Sequence, residues 1–155
     1  MNREILFKAK IKDDGEWVEG YYVYCRKRHY ILPILNKEIG FDEREDEWIE
    51  IDSDTLCQYT GLTDKNGRKI WENDILIGYQ CPYRSDGNDN YFAEVTWFEN
   101  CPAFGIYTFK NPKSNVCGIS EGNTEFMENW NSEDWGVIGN IFDNADLLEV
   151  KLWTY

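Results

Sequence analysis

The chain has 155 residues, which suits one domain, or one domain with an extension, able to bury a core without metals or disulfide staples. Sixteen Lys and Arg stand against 29 Asp and Glu, and the formal net charge of −13 excludes binding to nucleic-acid phosphates through a general positive field. No apolar run approaches the roughly 20 residues needed to span a bilayer, so no membrane role is expected.

The charge is unevenly spread. Residues 1–37 carry eight Lys or Arg against five Asp or Glu, whereas residues 38–155 carry eight against 24. Acidity of this kind first of all serves solubility, and it favours basic or neutral partner surfaces. Seven Trp, ten Tyr and eight Phe lean the composition toward strands. Cys25, Cys57, Cys81, Cys101 and Cys117 form no Cys-x-x-Cys pair. No apolar signal region opens the chain, so the thiols are expected to be reduced and the protein cytoplasmic.

From the N-terminus, Phe7, Ala9 and Ile11 fall on one face and Lys8, Lys10 and Lys12 on the other, a strand with one wet side. Asp13-Asp14-Gly15 reads as a hairpin turn, and Glu16 to Tyr24 as the returning strand. Arg26-Lys27-Arg28-His29 is a polar tip before a strand at Tyr30–Leu32 that Pro33 weakens. The acid-rich segment 42–54 reads as a solvated loop leading into a short strand around Trp48–Ile51, with Ser53 or Asp54 as a helical cap.

The central stretch, Gln58 to Ile77, holds two turns feeding a strand. Asn66-Gly67 is a strong turn signal because both residues tolerate positive φ, and Glu72-Asn73-Asp74 makes a second turn before Ile75-Leu76-Ile77. Residues 80–90 read as a polar loop, and Tyr91–Phe98 and Ala103–Lys110 as strands. Phe126, Met127 and Trp130 share the spacing of one face of a short helix. Gly136–Phe142 reads as an apolar strand, residues 143–148 as one helical turn capped by Asp143, and Glu149–Tyr155 as an edge strand. Many short strands separated by turns predict a mainly β fold, a small barrel or sandwich.

Three segments resemble the YopX family of phage and prophage proteins. They are Arg3–Ala9 with Gly15–Gly20, the central run Gln58–Ile75 (QYTGLTDKNGRKIWENDI), and Val137–Leu148 (VIGNIFDNADLL). The resemblance implies a mostly β fold with an N-terminal β-hairpin portion, residues 1–53, and a C-terminal SH3-like barrel, residues 54–155, carrying one or two short helical turns. It assigns no biochemical function. Asn73 stands where the family pattern has Gly, and Asn is the side chain that best tolerates left-handed backbone, so φ > 0 is expected there.

Weighed as chemistry, the residues offer little. His29 is the only histidine, and the basic residues beside it disfavour a metal cation; it follows Cys25 by four residues, which in a hairpin is no evidence of a nucleophilic pair. Asp64, Asn66, Glu72 and Asp74 match no calcium loop, and SDGNDN at 85–90 is a weak calcium lookalike. GVIGN at 136–140 lacks the ending of a phosphate loop. No metal and no cofactor are expected. Gly61, Asp64, Asn66, Gly67, Asn73 and Asp74 are read as bends that start the barrel. Tyr59, Trp71, Trp97 and Trp130 are the candidate partner-binding aromatics, with core packing as their alternative. The expected function is non-enzymatic, by contact with a protein partner or a second copy. The alternatives are an acidic DNA mimic that inhibits a host nucleic-acid-binding protein and a metal-dependent hydrolase using Asp64 and Asp74.

Overall fold

A computed structural model describes residues 4–34, 48–79, 90–110, 124–126 and 134–147. The fold is mainly β, built of antiparallel sheets with only isolated 3-10 turns, and no closed barrel forms among the described residues. The chain divides into two compact units, Met1–Gly61 and Leu62–Tyr155.

The first unit contains β1 (Phe7–Lys10), β2 (Trp17–Cys25), β3 (Arg28–Pro33), β4 (Ile49–Glu50) and the start of β5 (Cys57–Thr63), in sheet order β4-β3-β2-β1-β5. The alternation in the sequence decides which side packs. Ala9 lies opposite Val18, and Tyr22 opposite Ile31. Ala9, Ile31 and Ile51 are buried there, with Phe7, Val18, Tyr22 and Leu56 packed against them. Gly15 takes φ +76 in the first hairpin, whose turn is closed by the Ile11 N–H donating to the Glu16 carbonyl. After β4 the chain crosses back to the end of β1. Ile51 N–H donates to the His29 carbonyl, while Asp52 N–H donates to that of Lys10 and Lys12 N–H to that of Glu50. Asp52, not Ser53 or Asp54, caps the following 3-10 turn, Ser53–Thr55, by accepting from the Asp54 N–H.

In the second unit β5 runs on to Thr63 and turns back as β6 (Lys69–Trp71). Beyond it, β7 (Asp74–Tyr79), β8 (Asn90–Phe98), β9 (Ala103–Lys110), β10 (Thr124–Phe126) and β11 (Trp135–Asn140) form an open sheet in order β10-β9-β8-β7-β11. It stays open because β10 and β11 lie at opposite edges. Ile70, Leu76, Ala93, Val95, Phe104, Ile106 and Trp135 make the core.

Three expectations change here. Phe126 belongs to a strand paired with β9, with Gly105 opposite it, so the helical spacing with Trp130 does not describe it. The strand expected at Gly136–Phe142 begins and ends earlier, at Trp135–Asn140, and bulges between Val137 and Gly139. The last helical turn is a 3-10 turn at Ala145–Leu147 in which Asn144, not Asp143, supplies the carbonyl that accepts the Leu147 N–H. The expected edge strand at 149–155, the loop 80–89, the acidic segment 42–47 and Trp130 lie outside the described residues.

Glu94 is an ionisable group inside this sheet, opposite Ile75 on β7 and Tyr107 on β9. Burial pushes its carboxyl above the ordinary 4.5. Its ionised form is favoured more in the unfolded chain, so stability declines as pH rises from about 4.5 through the folded value. Glu94→Gln is expected to raise the melting temperature at pH 7 and to give no gain at pH 4; thermal melts at both pH values check this.

Candidate functional site

The signature stretch is built from backbone donors around two carboxylates. Asp64 is 4% exposed and Asp74 1%. Asp64 closes a three-residue hairpin loop: its N–H donates to the Arg68 carbonyl, and its own carbonyl accepts from the Gly67 N–H. Gly67 has φ +78, whereas Asn66 does not appear among the left-handed residues, so only one residue of the Asn-Gly pair needs the unusual backbone. Asp64 Oδ1 accepts the N–H groups of Asn66 at 2.8 Å and Arg68 at 2.9 Å. Its Oδ2 accepts the Val137 N–H at 2.9 Å. Burial works against the charge, yet these N–H groups outweigh it and hold the carboxyl below its ordinary 3.8. Asp74 Oδ2 accepts the Trp71 N–H at 2.8 Å. Asn73 has φ 65, the left-handed backbone expected of it, with its N–H on the Val95 carbonyl and its carbonyl on the Ile141 N–H. Gly61 has φ +88 within β5. Among the described residues no three His, Cys, Asp or Glu side chains converge as a metal cage requires, and no helix is long and apolar enough to cross a membrane.

The three aromatic candidates among the described residues, Tyr59, Trp71 and Trp97, lie in different settings. Trp71 is 4% exposed, so its ring is not offered to a partner in this conformation. Tyr59 is half-buried on β5. Trp97 is partly exposed at the end of β8, edge-on to Phe104 with ring centroids 4.9 Å apart.

The first unit carries two surface features that the sequence did not single out. One is the sheet face turned away from the Ala9–Ile31–Ile51 core. Tyr21 lies opposite Leu32 there, and Val23 opposite Tyr30. The Tyr30 ring contacts Trp48, with centroids 5.8 Å apart. Tyr21 is 49% exposed and Trp48 47%. At the other end of this face Lys8 and Lys10 reach over the Trp17 ring, 5.0 and 5.6 Å from its centre. The signal for this face was the aromatic run Tyr21–Tyr24, which places one set of rings on each side of a strand.

The other feature is a cleft of about 720 Å³ where the chain crosses from β4 to the end of β1. Lys12, Lys27, Arg28, His29 and Glu50 line it, together with Ser53. Glu50 bridges two cations, with Lys12 Nζ 2.6 Å from Oε1 and Arg28 Nη1 3.3 Å from Oε2. The Lys12 hydrogen bond holds the Glu50 carboxyl below its ordinary value; desolvation opposes it, and the charges of Lys12 and Arg28 assist. His29 Nδ1 is 2.7 Å from the Tyr22 hydroxyl, and its ring stacks on Tyr22 and leans on Tyr24. His29 pairs with Tyr24 and Cys25 with Arg28, so adjacent register positions direct His29 and Cys25 to opposite faces. Among the described residues Cys25, Cys57 and Cys101 form no disulfide.

The sequence matches the family described as YopX protein over residues 6–149. No curated protein matches it. Among solved structures, the crystal structure of protein EF1440 from Enterococcus faecalis is similar, with 23% identity over 96% of this chain and all of that one, at a TM-score of 0.51. At that identity the likeness speaks to the fold alone.

Proposed function

The chain belongs to the YopX family, and from that premise we propose that it is a non-enzymatic accessory protein of phage or prophage origin. It acts in the bacterial cytoplasm by contact with a protein partner or a second copy. The observation that carries this reading is the outer face of the first sheet. Tyr21 and Trp48, each about half exposed, flank the cross-strand pair Val23–Tyr30 and Leu32. Aromatic side chains of this kind supply large contact area at low entropic cost, and they anchor interfaces. This face joins Tyr59 and Trp97 as a candidate contact surface, whereas Trp71 is buried. The buried carboxylates of the signature stretch serve its turns, since backbone N–H groups take up Asp64 and Asp74.

The test is capture from phage-infected or lysogenic cells, with light scattering on the purified chain. Tyr21→Ser with Trp48→Ser is expected to abolish a specific, salt-tolerant partner or the homo-oligomer while leaving the denaturation midpoint nearly unchanged. A partner that survives the double substitution refutes this face. A partner lost between low and moderate salt supports the acidic-mimic reading instead.

A further inference from the structure

The cleft in the first unit has a chemistry that the protein–protein reading does not use. In a chain of net charge −13, Lys12, Lys27 and Arg28 are gathered around one space, and Glu50 is the carboxylate set between two of them. Among the described residues Lys27 pairs with no carboxylate. Asp52, which also lines the cleft, turns Oδ1 to the Asp54 N–H.

The hairpin that delivers these cations is the second observation. Arg26 and Lys27 are two successive left-handed residues, with φ 50 and 64. That is the backbone of the tight turn for which Asn-Gly is favoured. A β-carbon is crowded in this region, so Arg26 and Lys27 cost the turn stability that Asn-Gly would not. The turn places Lys27 and Arg28 in the lining of the cleft, together with Lys12 and Ser53.

We propose that this cleft binds a small phosphorylated ligand, whose phosphoryl oxygens take the place of the Glu50 carboxylate between Lys12 and Arg28, with Lys27 as the third cation. A phosphate ester carries close to two negative charges and three acceptor oxygens, which suits three cations better than one carboxylate does. The volume of about 720 Å³ exceeds what a phosphoryl group fills, so the ligand carries an organic part. Glu50 acts as an internal counterion that the ligand displaces.

Calorimetric titration of the full chain with inorganic phosphate, pyrophosphate and ADP at low salt tests this. Saturable one-to-one binding is expected. Glu50→Gln should tighten binding severalfold, because the competing carboxylate is gone; a purely structural salt bridge predicts no such gain. Replacing Arg26-Lys27 by Asn-Gly should raise the melting temperature and weaken binding about tenfold, the loss of one charge-assisted contact. That pairing separates lost binding from lost folding. ADP binding more tightly than pyrophosphate supports the organic part of the ligand; equal affinity overturns that part of the proposal. Absence of saturable binding to any of the three, or unchanged affinity in both variants, overturns the proposal.

Discussion

Asp64→Ala is expected to destabilise the second unit by about 3 kcal/mol or more, because it leaves the N–H groups of Asn66, Arg68 and Val137 without their acceptor. Against a total stability of roughly 5–15 kcal/mol for an ordinary domain, this is a large fraction. The effect reaches beyond the turn. The Lys65 N–H donates to the Trp135 carbonyl, and Arg68 Nη1 to that of Val137, so the hairpin loop and β11 are held to one another at several points. Asp64 is the carboxylate through which both sides are satisfied. Asp64→Asn tests the charge without the shape. Its Oδ1 still serves Asn66 and Arg68, but the amide then turns a donor toward the Val137 N–H, so most of the loss is expected to remain. Urea denaturation of the three proteins, followed by fluorescence of the Trp-rich second unit, reads the result. Equal midpoints for wild type and Asp64→Ala sink the account.

The same group fixes a pH dependence. The folded carboxyl lies below the ordinary 3.8, so its stabilisation is fully present above that value and is lost as pH falls through the folded one. Wild type and Asp64→Asn should therefore converge in stability as the solution is acidified below 3.8. Glu94 has the opposite sign and contributes its penalty at neutral pH.

These residues show what was legible in the chain. The inward set Phe7, Ala9 and Ile11, the hairpin at Gly15 and the strands around β8 and β9 follow from local alternation and turn chemistry, which a sequence carries on its face. Asn73 was legible for the same reason, since its left-handed backbone is a local property. The partners of Asp64 were not, because Val137 lies 73 residues away. Nor was the cleft: Glu50 meets Lys12 across 38 residues and Arg28 across 22, through a crossing from β4 to β1 that no spacing announces. Trp71 and Trp48 make the limit plain. Both are tryptophans at or beside strands, yet one is buried and the other half exposed. Face is decided by what packs on each side, and that is tertiary information. Phe126 failed differently: three spaced apolar residues suit a helix turn, but pairing with β9 claimed it for a strand.

Gly20→Ala is expected to disrupt the first unit, at a cost of about 3 kcal/mol or more, above the ordinary range for overpacking. Gly20 sits in β2 between two partners, opposite Phe7 on β1 and Pro33 on β3. A β-carbon placed there falls on the carbonyl oxygen of Leu32 and comes within 2.8 Å of Ile31 Cγ2. The first obstacle is backbone and has no rotamer to change. The second is a fully buried side chain of the Ala9–Ile31–Ile51 core. Relief requires β2 and β3 to part, which loosens the outer face at Tyr21–Leu32 together with the hairpin that carries Lys27 and Arg28. Gly15→Ala is the internal control. Gly15 has open space around it, and only its φ of +76 opposes a side chain, so its cost is about 1–2 kcal/mol. Urea denaturation midpoints rank the two. Gly20→Ala should fall well below Gly15→Ala, and hydrogen exchange should report lost protection across β2 and β3. If Gly15→Ala proves the more damaging, the close approach at Gly20 does not set the spacing of the sheet.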